Sequence, residues 1–500
     1  MSSQSPQRRS PPPARRRLPS TVTTLALIGL ACAGRLLAAA PSGTAAFIGN
    51  WWGRVEAPHE TVDLGFELRT NAEGAVEATL TQPGASYFGM ALPGKVEIDG
   101  NHVVLAGLLE ATLDGDRLVG TFASKVPIEL RRVEALPTLP PVPDLPTGPP
   151  PRWQTRLNGQ VFSSPVVAEG IAFVGTTGGV FQAIRVADGS FAWTFAPGKP
   201  ILGTARLDGD AVYFTCDDGY LYKLQRSDGK QLWRYDLGDA RVPRVLGHPA
   251  VFEWDWQGTR PLVDRGTVYV GSGDGSFHAV DAASGARRWR VEAGGKIRGG
   301  AAPAGDRVLV GGSDHFIYAF DRASGRQLWR HDTGADVENE LLVVGDEVIA
   351  GNRGTGLIAL AVASGEELWH TTFWGSWLES TPALVDGVLY VGSSDLERVS
   401  ALDPRDGRVL WRTDVYGWTF GTPLVTDRFI YAGAAGGTPY FMRHVAGLLR
   451  LDRKTGKLLA RWPLADAGGH QWGIASSLAL SGDTIVATTV EGSIFGFPVG

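Results

Sequence analysis

Seven short segments carry side chains that could hold a ligand. They read VFSSP, ILGTA, IRGGAA, VENEL, WLESTP, WTFGTP and WGIASS, and each stands at a similar distance ahead of a strand-like run. Three successive segments contribute Arg298, then Glu338, Asn339 and Glu340, then Glu379. The next two contribute Trp418 with Phe420, and Trp472 with the preceding His470, while Trp374 and Trp377 flank the acidic group. A charged cluster beside aromatic faces can orient and stack a ligand. Carboxylates and an amide oxygen suit a hard cation. The same residue types also occur as solvated loop polars and packing aromatics. The candidate binding site is therefore Arg298, Asn339, Glu340, Glu379, Trp377, Trp418 and Trp472, with no catalytic residue and no metal ligand assigned. Other chemistry finds no support. The nine His show neither an HExxH motif nor Cys/His zinc spacing. No G-x-S-x-G elbow supplies a hydrolase serine. The glycine-rich runs GTTGGVF and GAAGGTPYF lie between short strands and read as hairpin turns rather than phosphate loops.

The elements that would position these residues are short strands. Gly is 66 of 500 residues and Trp 16, a composition favouring tight turns and strands over helical bundles. From residue 152 onward a motif recurs: ADGSFAW ending at Trp193, SDGKQLW at Trp233, ASGARRW at Trp289, ASGRQLW at Trp329, ASGEELW at Trp369 and RDGRVLW at Trp411. KTGKLLA follows, with Ala460 in the Trp place and Trp462 close by. The spacing is about 40 residues, which indicates propeller blades. One unit, 261–291, contains four strand-length pieces, PLVD, TVYVGS, SFHAVDA and ARRWRV, punctuated by Gly and Asp. The recurrent Trp is expected to cover the face between adjacent blades. The last stretch supplies three strands, and RWQTRL at 152–157 can supply the fourth, giving eight blades closed by an N-terminal strand. The spacing widens by 16 residues between Trp233 and Trp289, where FEWDW, with Glu253 and Asp255, could form a lid or partner loop.

Three regions precede the repeats. Residues 1–42 hold six Arg and no acid, then an apolar stretch at 25–34 and small residues. That is the pattern of an export signal, too short and interrupted for a spanning helix. Cys32 departs from a lipobox, so a lipid anchor there is not expected. Residues 47–134 alternate apolar and polar residues between Asp-Gly turns, which predicts six to eight antiparallel strands in a small barrel-like domain. Residues 135–151, ALPTLPPVPDLPTGPPP, read as a semi-rigid linker and domain boundary. Beyond the leader, Cys216 is the one thiol, so no intrachain disulfide can form, and its strand pattern marks it as a small core residue. The net charge is −5, and the excess of acid grows once the leader is set aside, which argues against nucleic-acid binding.

The pattern V-Y-V-G-S-x-D-G-x-x-x-A-x-D-x-x-S/T-G-x-x-x-W resembles the PQQ-like repeat, and the resemblance covers essentially all of 152–500. Two groups share that repeat. One is the quinoprotein dehydrogenases, which bind pyrroloquinoline quinone and usually calcium. The other is the non-enzymatic propellers similar to the outer-membrane assembly lipoprotein BamB. The segment 47–134 resembles the small all-β domain found ahead of some secreted bacterial hydrolases, on the start Trp51 to Pro58 and the end Leu113 to Phe122. The ring averages about 44 residues per blade, close to the bare repeat, and has no Cys-Cys pair of the kind many quinoprotein enzymes place over the quinone. If a quinone binds, the resemblance implies that Arg298 pairs with its carboxylates and that Glu379 or Glu340 is a metal ligand or base. The expectation is an all-β, exported, eight-bladed propeller behind a small antiparallel domain, acting without cofactor as a binding or assembly scaffold. Its partner would be a protein or cell-envelope component met through the propeller loops, in the periplasm or in association with the outer membrane. The alternative is a PQQ-dependent alcohol or sugar dehydrogenase with PQQ and Ca2+.

Overall fold

The computed structural model of the chain describes residues 43–56, 61–105, 107–123, 126–244, 255–354, 356–373, 376–437, 443–465 and 471–500. The leader with Cys32, and Glu253, Trp374 and His470, lie outside these residues. The described chain is all β apart from two short 3-10 turns.

Residues 49–133 form one curled antiparallel sheet of nine strands: β1 (Gly49–Glu56), β2 (Thr61–Thr70), β3 (Val76–Gln82), β4 (Tyr87–Ala91), β5 (Val96–Asp99), β6 (His102–Leu105), β7 (Leu109–Asp114), β8 (Arg117–Phe122) and β9 (Val126–Val133). Their order is β4-β3-β2-β1-β9-β8-β7-β6-β5, so β1 and β9 meet at the centre and β4 and β5 remain as the two edges. Alternation drives the curl: Trp51 and Val55 on β1, and Leu64, Phe66 and Leu68 on β2, all turn into one core. The Asp-Gly-Asn turn joins the β5–β6 hairpin as expected, and the strand count exceeds the expected six to eight because YFGMA, which lacks clear alternation, pairs with β3 as β4.

Eight four-stranded blades follow at 166–195, 206–236, 262–292, 302–332, 342–372, 383–414, 424–463 and 479–498, and the seventh gains a short fifth strand where Gln471–Gly473 pairs with Ala435–Gly437. Blade 8 has only three strands of its own. Trp153–Arg156 completes it, pairing antiparallel with the last strand (Trp153 opposite Gly496, Arg156 opposite Ser493). The recurrent Trp fastens each blade to the next. Its indole N–H donates to a backbone carbonyl 33 residues on: Trp153 to Val186, Trp193 to Arg226, Trp289 to Arg322 and Trp329 to Val362, at 2.7–3.0 Å. The ring lies on the turn glycine of the receiving blade. Gly325, for example, has φ +74°, and a Cβ there would sit 2.8 Å from the Trp289 ring. The motif thus needs both its Gly and its Trp, one blade apart.

The N-terminal sheet is not packed in isolation. Its core runs on into blades 5 and 6 through Phe373, Leu378, Leu389 and Leu396. Ser86 Oγ donates to the Leu396 carbonyl, and Arg398 donates to the Gly84 carbonyl at 2.6 Å. The proline-rich run then follows the outer strand of blade 7. Thr147 bridges Arg461, and the Trp462 indole donates to the Pro149 carbonyl. Trp462 serves here what the motif Trp serves elsewhere, which accounts for Ala460 in the repeat position.

Candidate functional site

Before its innermost strand, each blade sends a short segment down the wall of the central channel. The seven segments read from the sequence take these places, at 161–165, 201–205, 297–301, 337–341, 378–382, 419–423 and 474–478. An eighth, Gln257–Gly258–Thr259–Arg260–Pro261 of blade 3, joins them through parallel bridges of Gly258 to Gly203 and of Arg260 to Gly300. The second residue of each segment faces the mouth. Around the ring these are Phe162, Leu202, Gly258, Arg298, Glu338, Glu379, Phe420 and Ala475. Charged and apolar residues therefore fall on separate arcs.

The charged arc is paired internally. Arg298, 4% exposed, grips Asp255 with both arms of its guanidinium, at 3.1 and 3.2 Å. Lys296 Nζ is 3.1 Å from the same carboxylate, and Arg244 joins it while also pairing with Asp217 at 2.9 Å. Burial alone would raise Asp255, but Arg244 and Arg298 outweigh it and hold this carboxyl below its usual range. Asp255 thus ties Arg244, Lys296 and Arg298 together at the mouth. On blade 5, Arg353 sits between Glu338, at 2.9 Å, and Glu379, and its guanidinium stacks 4.6 Å from the Trp377 ring. Gln257 Nε2 donates to the other oxygen of Glu379 at 3.2 Å. Burial pushes Glu338 up to about 7, with Arg353 opposing the rise and Glu379 adding to it.

The other arc is a cluster of rings. Trp256 of blade 3 reaches across the channel to Phe420 of blade 7, centroids 5.3 Å apart, and to Phe162 of blade 1 at 5.9 Å. Blades 3 and 7 are diametrically opposed in a ring of eight, so this contact closes the mouth across its width. Trp418 packs on Phe420, and His444 lies 4.3 Å from Trp418 and 6.4 Å from Trp472. The space left among these rings is about 10 Å3, at the lower limit for one water. A larger cavity, about 410 Å3, lies on the outer rim between blades 5 and 6, lined by His370, Thr371, Asp406, Arg408 and Arg412 among others.

The structure brings Arg298, Glu379 and Trp377 to the charged arc and Trp418 and Trp472 to the ring arc. Asn339 and Glu340 lie deeper in the channel. Asn339 Nδ2 donates to the Leu378 carbonyl at 3.3 Å, while its Oδ1 meets no donor, and Glu340 pairs with Arg206 at 2.6 Å. Sequence reasoning missed Arg353, Arg244, Asp217, Trp256, Gln257 and Arg260. A signal for Arg353 existed, because its turn reads NRGTG where the equivalent turns of blades 3 and 4 read SGDGS and GSDHF. Cys216 is buried, its Sγ 3.3 Å from the Lys199 carbonyl, and burial pushes its thiol up, away from reactivity.

An eight-bladed ring with this repeat and this Trp latch defines a PQQ-like repeat β-propeller. Within that class, the family model of outer membrane protein assembly factor BamB matches residues 147–251, 217–376 and 359–498, and the chain belongs to that family. BamB of Burkholderia pseudomallei is 26% identical over 357 residues, covering 68% of this chain and 84% of the relative. BamB of Yersinia pestis is 29% identical over 147 residues, 28% of this chain and 36% of the relative, so the chain spans about a third of that relative's length. Quinohemoprotein alcohol dehydrogenase of Comamonas testosteroni is 29% identical over 154 residues, 28% of this chain and 21% of the relative. The same fold recurs in solved structures. BamB of Moraxella catarrhalis has a TM-score of 0.51 at 18% identity over 69% of this chain and 95% of that one. The Comamonas dehydrogenase has a TM-score of 0.54 at 14% identity over 70% and 76%.

Proposed function

We propose that the chain is an exported, non-enzymatic binding and assembly scaffold of the cell envelope, offering its rim and loops to a protein partner. The observation that carries this reading is the state of the mouth. The groups a quinone would need already hold one another, and Trp256 closes the opening across its diameter. A tricyclic quinone bearing three carboxylates does not fit a residual space of about 10 Å3. The fork of Arg298 is taken by Asp255, Glu379 by Arg353 and Gln257, and Glu340 by Arg206. As arranged among the described residues, these groups do not fit PQQ, which supports a role without that cofactor. BamB relatives named as outer membrane protein assembly factors support an envelope location, and the leader-like N-terminus supports export.

Two measurements on the full chain test the reading. Incubation with PQQ and Ca2+ is expected to give no saturable quinone absorbance and no dye-linked oxidation of alcohols or sugars. Cross-linking in envelope fractions of the source cell is expected to join the chain to an envelope protein, with the bond mapped to a propeller loop. Saturable PQQ binding with turnover would overturn the proposal.

A further inference from the structure

Each blade ends in an outer strand whose far edge has no neighbour in its sheet. Such an edge is a template for another strand, and proteins guard it with charge. In blades 2, 3, 4 and 6 the first and third places after the motif Trp hold an Arg and an acid: Arg234 and Asp236, Arg290 and Glu292, Arg330 and Asp332, Arg412 and Asp414. Blade 5 has His370 and Thr372 there, and blade 1 has Thr194 and Ala196. On blade 1 the Arg185 guanidinium covers the strand, donating to the Phe191 carbonyl at 2.7 Å. The outer strand of blade 5, Glu367–Thr372, therefore ends without the guard its neighbours carry.

The molecule already fills one such edge with its own chain. Beside the outer strand of blade 7, Leu458–Pro463, runs the proline-rich segment. The Arg461 N–H donates to the Pro146 carbonyl at 3.1 Å, Thr147 and Arg461 form a parallel bridge, and the Trp462 indole donates to the Pro149 carbonyl at 2.6 Å. The rim of this propeller thus accepts an extended segment by backbone pairing, fastened by a blade side chain. Blade 5 offers a similar edge with a groove beside it. The cavity of about 410 Å3 is lined by His370, Thr371 and Thr372 of the outer strand and by Asp406, Arg408 and Arg412 of blade 6. Thr371 Oγ1 donates to the Gly407 carbonyl at 2.6 Å and so joins the two walls. Arg408, 62% exposed, stands 3.6 Å from Asp403, which Arg405 already grips, and 4.0 Å from Asp406. The Arg412 guanidinium lies 5.5 Å from the Phe373 ring. On the two bordering strands Leu368 and Leu410 are 49% and 42% exposed, and Leu368 is the most exposed large apolar side chain among the described residues.

We propose that the outer edge of blade 5 binds an extended segment of a partner protein as an added strand. Its backbone pairs with Glu367–Thr372, an acidic side chain reaches Arg408 and Arg412, and apolar side chains cover Leu368 and Leu410. Main-chain bonds supply affinity in this mode, and the pockets for alternate side chains supply specificity. Successive side chains of a strand point to opposite faces, so the segment alternates acidic and apolar residues. This inference rests on the scaffold reading and gives its partner a place and a chemistry.

The probe is an end-capped, fluorescein-labelled peptide, TVEVEVT, titrated against the full chain. Its anisotropy is expected to saturate. The charge-reversed TVKVKVT is expected to bind at least about tenfold more weakly, because like charges then meet in the groove. His370→Arg combined with Thr372→Asp restores the guard of the other blades, which fold with it. That variant is expected to weaken TVEVEVT at least about tenfold. Leu368→Lys is expected to act in the same direction, whereas Leu232→Lys, the same place on blade 2, is expected to bind like the unaltered chain. Hydrogen exchange at 367–372 is expected to slow with the peptide present. No saturable binding, equal binding of the two peptides, or binding unchanged in both blade-5 variants would overturn the proposal. A dimer of the chain that forms through this edge and is lost in the double variant would give the edge to a second copy and would overturn it as well. All of these failures leave the scaffold reading standing, since that reading turns on PQQ turnover and on the cross-linked envelope partner.

Discussion

The two halves of the propeller mouth face the same geometric problem and solve it with opposite chemistry. Blades 3 to 6 fill their side with guanidinium–carboxylate pairs: Arg298 with Asp255, and Arg353 with Glu338 and Glu379. Blades 7, 8, 1 and 2 fill theirs with rings and apolar side chains, Phe162, Leu202, Trp418, Phe420 and Ala475, with Trp256 arriving from the opposite wall. The contrast continues one layer down, where blades 3 and 5 place Arg260 and Glu340, and blades 7, 8, 1 and 2 a belt of hydroxyls: the Thr422 N–H donates to Ser477 Oγ, the Ser477 N–H to Ser164 Oγ and the Ser164 N–H to Thr204 Oγ1. The repeat fixes where a side chain is delivered, and it leaves open whether that side chain is charged or apolar. The ionic half is conditional on protonation; the ring half is not.

That difference can be pressed experimentally. The largest effect is expected from Arg353→Met, which strands Glu338 and Glu379 as buried carboxylates. Breaking such a pair costs about 4 kcal/mol. The cost should depend on pH. A carboxyl whose native pKa lies above its unfolded value holds its proton better when folded, so stability falls as pH rises through the interval between them. Glu338 already stands at about 7 with Arg353 present, and its loss moves the carboxyl further up. Urea unfolding should therefore show a deficit that is large at pH 7.5 and shrinks at pH 5; an equal deficit at both would break the distinction between the halves. Trp256→Ala comes next, at about 3 kcal/mol for a buried aromatic truncated to leave a cavity. Its deficit should be the same at pH 5.5 and pH 8, because His444, the titratable ring of that arc, is held down to about 4 by burial. Asp255→Asn should cost about 2 kcal/mol at pH 7, since the amide keeps some hydrogen bonds but loses the charge facing three cations. Here the sign reverses. Asp255 lies below its usual value, so its contribution is present above the ordinary carboxylate pKa near 4 and is lost as pH falls. Denaturation curves of the two chains should converge in acid.

The ring half was far more legible in the sequence than the ionic half. A Trp recurring about every 40 residues, each with its D/S-G turn, fixes blades, strand order and the closure by Trp153–Arg156, because the latch is a local pattern repeated. Seven of the eight inner segments could be aligned for the same reason. The eighth was hidden because the insertion before it breaks the period, although QGTRP stands at the same distance ahead of its strand. Arg298 and Glu379 were visible as charges, yet their partners were not. Asp255 comes from that insertion and Arg353 from a turn between the second and third strands of blade 5, and neither pairing follows from a spacing rule. The nine strands of the N-terminal sheet were undercounted where alternation weakens, at Tyr87–Ala91. The continuity of its core with blades 5 and 6 leaves no signature in either segment alone.

The smallest expected effect bears on how the ring is held shut. The hydroxyl belt crosses the seam between the last and first blades, where Ser477 N–H donates to Ser164 Oγ, and it makes the same bond within the continuous chain, where Thr422 N–H donates to Ser477 Oγ. Each bond satisfies a backbone donor that faces the channel. Ser164→Ala leaves the Ser477 N–H without its acceptor, and Ser477→Ala does the same to Thr422. Each loss should cost about 1 kcal/mol. If closure rests on the four-residue pairing of Trp153–Arg156 with the last strand, the seam bond is one link among equals and the two variants should melt within a degree or so of each other. A markedly lower melting temperature for Ser164→Ala would mean instead that the seam is the weak point of the ring and that the belt, not the outer strand, holds it. Such a result would move the hydroxyl half from a lining to a clasp, and would predict that the ionic half, which spans no seam, is the more tolerant of single hydrogen-bond losses.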